Sequence, residues 1–179
     1  MNKKVLTIFL VLVIIVVGYN TFQSINKEIS YREQVKEIDL MVIGRLDTLR
    51  KMQLAFRDVN GKYAENFDVL FDFMKNGKYI KLKQIGDNDG EVNNAQVDTL
   101  FLSPIVEILG EENINVNINK YKFVPPMDTA LFKINAGTIS QNNVTVPVFE
   151  ISDPHPFNKT NKPLKVGDMY NAITSGNWK

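Results

Sequence analysis

Cysteine is absent from the 179 residues, and histidine occurs once, at His155. The first absence excludes disulfides, thiolate metal sites, thiol nucleophiles and a lipidated N-terminal cysteine. The second leaves no histidine pair for zinc, and an imidazole held between Pro154 and Pro156 without a triad pattern reads as a turn residue rather than a base. No glycine-rich phosphate loop, H-E-x-x-H or G-x-S-x-G occurs. An excess of one charge is also missing. The 21 Lys and Arg stand against 20 Asp and Glu, which gives no basic footprint for nucleic acid. We therefore expect no catalytic residue, no cofactor and no metal, and read a non-enzyme whose function lies in its architecture.

What the chain does have is a single apolar run, Val5 to Val17, extended by Gly18 and Tyr19 and preceded by Lys3 and Lys4. Counted from Lys4 through Phe22, with Tyr19 and Phe22 as interfacial aromatics, it reaches the roughly 20 residues that span a bilayer. A secretory signal peptide also has a basic start and an apolar middle, and Val16 with Gly18 form a weak cleavage site, but the A-x-A pattern is missing. Residues 5–22 are accordingly expected to be a transmembrane anchor. The two lysines before the run place residues 1–4 in the cytoplasm and the remainder in the periplasm or outside the cell, by the positive-inside rule. Setting the anchor aside leaves about 160 residues, enough for one domain with one core.

From Tyr31 the apolar residues fall at Tyr31, Val35, Ile38, Val42, Leu49, Met52, Phe56 and Val59, three and four apart. Arg45 interrupts this stripe and Leu46 beside it keeps the face apolar. Gly44 weakens a helix without ending one, and Asn60-Gly61 supplies the first stop, with a left-handed glycine cap. One helix over residues 4–60 would be roughly 85 Å long. The stripe serves either the protein's own core or a coiled-coil seam with a second chain. We expect its distal half to pack on its own domain, and assign Val35, Ile38, Val42, Leu46, Leu49 and Met52 as the partner-facing set.

Downstream, Asn66 caps a second helix over 67–75 with Phe67, Leu70, Phe71 and Met74 on one face, closed by Asn76-Gly77. Residues 78–85 alternate as a half-buried strand, and the DNDG of 87–90 is a turn. Ser103 and Pro104 open a short helix over 105–109 that Gly110 ends. Strands are expected at Ile114 to Ile118 and at 120–124, before Pro125 and Pro126. A hairpin should pair 130–139 with 144–151, Pro147 marking its second strand as an edge or a bulge. The segment from Asp153 is rich in Pro, Asn and Gly, yet its Leu164, Val166, Met169, Tyr170, Ile173 and Trp178 are too apolar for a disordered tail. It should wrap across the domain, with Trp178 inserted in a groove.

Two further patterns have ordinary readings. Asp87, Asp89 and Glu91 echo part of a calcium loop, but Gln96 stands where its closing Glu belongs, which leaves an Asx-rich turn. Asn143-Val144-Thr145 and Asn158-Lys159-Thr160 match glycosylation sequons, a tripeptide that chance supplies often.

The run Leu49 to Leu70 resembles the segment that follows the long N-terminal helix in type IV pilins and type II secretion pseudopilins. The positions that carry the likeness are Gln53, Phe56, Asn60, Gly61, Tyr63, Asp68 and Leu70. The resemblance implies a lollipop: a membrane-spanning helix whose distal half packs on a small antiparallel β-sheet head, in an α+β fold. Tyr63 would then fold back over Phe56. The glycine before a prepilin cleavage site and the acid five residues into the mature helix are absent, so the anchor would be unprocessed. In that respect the chain is similar to the single-pass subunits of pilus and type II secretion assembly platforms.

The expected plan is thus a cytoplasmic start at 1–4, an anchor at 5–22, an amphipathic stalk at 23–61 and an α+β head at 62–179. Its expected partners are the bilayer through residues 5–22 and other protein subunits, including further copies of itself, with no nucleic acid. It would act as a structural subunit of a bacterial envelope assembly. The competing expectation, from another class, is an exported soluble ligand- or carbohydrate-binding domain whose signal peptide is removed.

Overall fold

The computed structural model describes residues 3–85, 96–113, 115–141, 143–159 and 162–178. Helix α1 runs from Lys3 to Asn60 without interruption. No proline precedes Pro104, and Gly18 and Gly44 are isolated, so nothing removes a backbone donor along its length. The chain divides into two compact units, Met1–Leu40 and Met41–Lys179. The described residues of the first, from Lys3 on, are all helix, and those from Phe9 to Val17 are all exposed. The portion of α1 from Phe9 onward contains a stretch of mean hydropathy 1.7, long and apolar enough to cross a membrane.

The second unit is α+β. It holds the end of α1, helix α2 (Phe67–Asn76), the hairpin β1 (Tyr79–Ile85) and β2 (Gln96–Leu102), and helix α3 (Pro104–Leu109). The 3-10 turns Glu111–Asn113 and Ile118–Lys122 follow, then strands β3 (Lys133–Gln141), β4 (Val144–Ser152) and β5 (Lys165–Gly167). The hairpin β1–β2 pairs Tyr79 with Leu102 through to Ile85 with Gln96 and forms its own two-stranded sheet. The other sheet is antiparallel in the order β3-β4-β5. The β3–β4 ladder is complete from Lys133↔Ser152 to Gln141↔Val144, whereas β5 covers only Glu150 to Ser152.

The core lies between this sheet and the helices. Val42, Leu46, Leu49, Met52 and Phe56 of α1 are buried together with Leu70, Phe71 and Met74 of α2 and with Phe149, Ile151 and Val166 of the sheet. Leu70, Phe71 and Met74 are the helical face expected for α2, and the Asn66 side chain accepts from the Val69 N–H at 2.9 Å as its cap. Gly77 ends α2 with φ −70° rather than left-handed. Glycine is needed there because a Cβ would lie 2.4 Å from the Phe73 carbonyl oxygen.

Several expectations fail, each for a definable reason. The asparagine-rich stretch 115–122 forms turns, not strands: the Asn117 side chain accepts from the Asn119 N–H at 3.2 Å and starts a 3-10 turn. Short Asx side chains compete with the sheet ladder in this way. Strand β2 is not expected from the sequence, because the apolar Val97, Leu100, Phe101 and Leu102 of its segment do not alternate regularly; ladder pairing with β1 defines it. Ser103 does not cap α3 with its side chain; its carbonyl accepts from the Val106 and Glu107 N–H groups instead. The C-terminal segment does return to the sheet as β5, but Tyr170 is 86 % exposed and Ile173 is exposed as well. Trp178 is half-buried and its ring fills the space beside Gly176. The DNDG turn, Glu91, Ile114 and Thr160 fall outside the described residues.

Candidate interaction surface

The segment that carries the pilin-like resemblance is built around one buried amide. Gln53 projects from α1 into the core with no exposed surface. Its Nε2 donates to the Ala64 carbonyl and its Oε1 accepts from the Ala64 N–H, both at 2.9 Å. A loop residue inside the core has no water to bond, so a side chain offering one donor and one acceptor satisfies both backbone groups. Gly61, at φ +71°, makes the turn between them, and its N–H donates to the Arg57 carbonyl at 2.7 Å. The chain there takes the left-handed conformation glycine favours.

Tyr63 is buried, but not over Phe56 as expected. Its ring lies against Phe149 of β4 at 4.5 Å between centroids, while Phe56 meets Phe73 of α2 edge-on at 5.2 Å. The Arg57 Nη1 donates to the Tyr63 hydroxyl at 3.1 Å and its guanidinium also binds Asp58. The bond to Asp58 is the main reason the Arg57 pKa is raised. Tyr63 thus ties the end of α1 to the sheet.

Arg45, which interrupts the apolar stripe in the sequence, has a structural task. Its Nη1 donates to the carbonyls of Lys120 and Phe123 and to Asp128 Oδ1, at 3.1, 2.9 and 2.7 Å. It therefore pins the loop that leads into β3. Farther along α1, the Arg50 Nε donates to the Thr174 carbonyl at 2.6 Å and holds the C-terminal segment.

Of the six residues assigned to a partner, Val42, Leu46, Leu49 and Met52 are buried in the core of the Met41–Lys179 unit. Val35 is also buried, and Ile38 is half-buried. Val42, Leu46, Leu49 and Met52 thus belong to the interior of the Met41–Lys179 unit and offer little free surface for a partner. A large apolar area remains open elsewhere on α1, at Phe22, Ile25, Ile29 and Leu40, each at least half exposed. At 100° per residue these four, with Ile15 and Gly18, fall within an arc of roughly 80°. Arg32 lies off that arc and pairs with Glu28 at 2.9 Å on the helix surface, whereas the exposed Glu33 and Lys36 fall on it between Ile29 and Leu40. Sequence reasoning missed the stripe because charged residues occupy the turns between Ile29 and Leu40, and because an apolar pattern alone does not say which face is already covered.

Two apolar grooves among the described residues of the head lie close to α1 and the sheet. One, of about 160 Å³, runs between α1 and α3 and is lined by Leu54, Ala55, Pro104 and Ile108, with Lys51, Asp58 and Glu107 at its rim. The other, of about 220 Å³, is lined by Tyr63, Val146, Val148, Phe149 and Ile173. Neither brings a nucleophile together with a base. Among the described residues no three His, Asp or Glu side chains gather as metal ligands. His155 is exposed in a turn, its N–H donating to Asp153 Oδ1 at 2.8 Å. Burial is the main cause of a raised Asp153 pKa. No family model, curated protein or solved structure matches this chain.

Proposed function

We propose that the protein is a membrane-anchored structural subunit of a bacterial envelope assembly, pilus-like or secretion-like, acting through helix packing and protein–protein contacts. The observation that carries this reading is the uninterrupted exposure of apolar residues from Phe9 to Val17 on a continuous helix. Fully burying a Val, Leu, Ile or Phe side chain is worth about 1.5–3 kcal/mol, so such a run stays in water only at large cost and a bilayer removes that cost. Lys4 at the basic start fits a cytoplasmic N-terminus, with the Met41–Lys179 unit on the far side of the membrane. The plan is that of a pilin-like head on an anchor, or of a bitopic platform subunit.

In this mechanism the anchor fixes position and the stripe of Phe22, Ile25, Ile29 and Leu40 mates with neighbouring helices. The absence of cysteine makes a clean test possible. Single-cysteine variants Ile25→Cys and Ile29→Cys, expressed in full-length protein and oxidised in membranes, are expected to cross-link to another helix. Lys27→Cys, on the opposite side of α1, should not. The reading fails if the native protein fractionates as soluble with a mature N-terminus near Tyr19, which would instead support the exported binding domain.

A further inference from the structure

Among the described residues, the sheet order leaves the outer side of β3 without a strand. Which backbone groups face that side follows from the ladder. The Asp153 N–H, one residue beyond β4, donates to the Leu164 carbonyl at 2.9 Å, so odd-numbered residues of β4 turn their polar groups toward β5. Alternate residues of an antiparallel strand point opposite ways, and the even-numbered residues of β4 therefore face β3. The register sets even residues of β4 against odd residues of β3, as in Gly137↔Val148. It follows that Ile134, Ala136, Thr138 and Ser140 hold their N–H and C=O groups outward.

Among the described residues this outer side is met only at its start. The Phe132 N–H donates to the Lys122 carbonyl at 2.9 Å, and Phe123 bridges Leu131. The chain before Phe123 is a 3-10 turn, so that cover does not continue along β3.

Open edges are ordinarily blunted by brevity, proline, bulges or charge. Strand β3 has nine residues in unbroken register, no proline, and one charge, Lys133, at its beginning. The uncovered part of β4 is different: Pro147 sits there on the odd side, facing away from β3, where its missing N–H interrupts any further ladder. Among the described residues, the β4 side of this sheet is protected and the β3 edge is not.

We propose that the outer edge of β3 pairs antiparallel with the same edge of a second copy of this chain, joining two three-stranded sheets into one. A register centred on Gly137 sets Ile134 opposite Ser140 and Ala136 opposite Thr138 of the second copy, and forms about eight hydrogen bonds. Gly137 falls at a close, non-hydrogen-bonded pair with Cα atoms about 4.5 Å apart. Lys133 faces Gln141 of the second copy, so no like charges oppose each other. Pairing extends to where the bond between Phe132 and Lys122 stops it. From Ile134 to Gln141 the edge carries no charge with which to select a different partner, and its own sequence satisfies it completely. This contact is separate from the helix stripe of the proposed function, so either can fail without the other.

The test uses full-length protein in its membrane, with single cysteines introduced into the cysteine-free chain. Gly137→Cys places two sulfurs across the axis within the about 4.4–6.8 Å Cα separation that a disulfide accepts. A Cβ at Gly137 meets only the Met169 methyl, at 3.4 Å, so the substitution is accommodated. Ser140→Cys lies about 20 Å from its equivalent in this register. Mild oxidation should convert Gly137→Cys to a disulfide-linked dimer at least tenfold more than Ser140→Cys. Adding Thr138→Pro, which removes an outward N–H and no bond to β4, should lower the Gly137→Cys cross-link at least fivefold with the near-UV circular dichroism unchanged. Should that proline disturb folding, Thr138→Lys keeps the backbone and sets like charges near each other, with the same expected loss. Equal cross-linking of the two cysteines overturns the proposal. So does none at Gly137→Cys, the result expected if an extended segment of another protein occupies the edge.

Discussion

Replacing Gln53 by Met keeps the length of the side chain and removes both of its hydrogen-bonding groups. The Ala64 N–H and C=O, each now bonded at 2.9 Å, would be left unpaired at a residue with almost no exposed surface. An orphaned buried polar group costs about 1–3 kcal/mol, and two of them, partly relieved by shifts of the loop, give roughly 2–4 kcal/mol. For a unit of this size that is a fall of roughly 5–15 °C in melting temperature. The assay is thermal and guanidinium unfolding of detergent-solubilised protein, followed by near-UV circular dichroism, which reports the packing of Tyr63 and its neighbours. A Gln53→Met protein within about 0.5 kcal/mol of the parent would refute the claim that this amide organises the loop.

Gln53→Glu sharpens the test. A carboxylate keeps the acceptor for the Ala64 N–H but points a charge at the Ala64 carbonyl, and burial disfavours that charge. The folded-state pKa of the new Glu would be raised, so stability should be lost as pH rises through it and recovered as pH falls, when the protonated acid can donate again. A pH-independent deficit would contradict the hydrogen-bond geometry.

Arg45→Met should cost about 2 kcal/mol and make the 118–132 loop more open to protease in limited digestion, because three acceptors lose one charged donor. Asp168 is held at about 2 by the Tyr170 N–H and Lys165. A depressed carboxylate contributes stability above its unfolded value near 4 that disappears as pH falls toward 2. The difference between parent and Asp168→Asn in pH-dependent unfolding should therefore shrink across that window. Asp153 has the opposite sign. Its raised pKa means that ionisation is unfavourable in the folded state, so Asp153→Asn should equal or exceed the parent in stability at pH 7, with the gap closing below pH 4.

Legibility varied with the kind of signal. Helix α2, the β3–β4 hairpin and the Gly61 stop were readable because periodicity, capping residues and turn glycines all agree there. Gln53 could be named by resemblance, but its partner could not, since a polar residue on an apolar stripe does not reveal which backbone it satisfies. The asparagines around Val116 and Ile118 mimicked alternation, and local Asx bonding prevailed. Pro147 pointed to an edge or bulged strand, but β4 is the middle strand of its sheet and its register with β3 has no bulge; the proline is tolerated because its side of β4 lies beyond the reach of the short β5.

Burial, rather than periodicity, separates the two apolar faces of α1, and a paired substitution turns that into a measurement. Leu49 has no exposed surface, whereas Leu40 is 60 % exposed. An Asp at position 49 would be an unpaired buried charge and should destabilise the head by several kcal/mol, so any loss of assembly it caused would report unfolding alone. An Asp at position 40 removes a side chain that is mostly exposed among the described residues, and should shift unfolding by less than about 0.5 kcal/mol. If the outer stripe mates with neighbouring helices, Leu40→Asp lowers the Ile29→Cys cross-link with folding intact. Full cross-linking in Leu40→Asp would show that the stripe ends below that turn, and a melting loss comparable to that of Leu49→Asp would show that Leu40 belongs to a core.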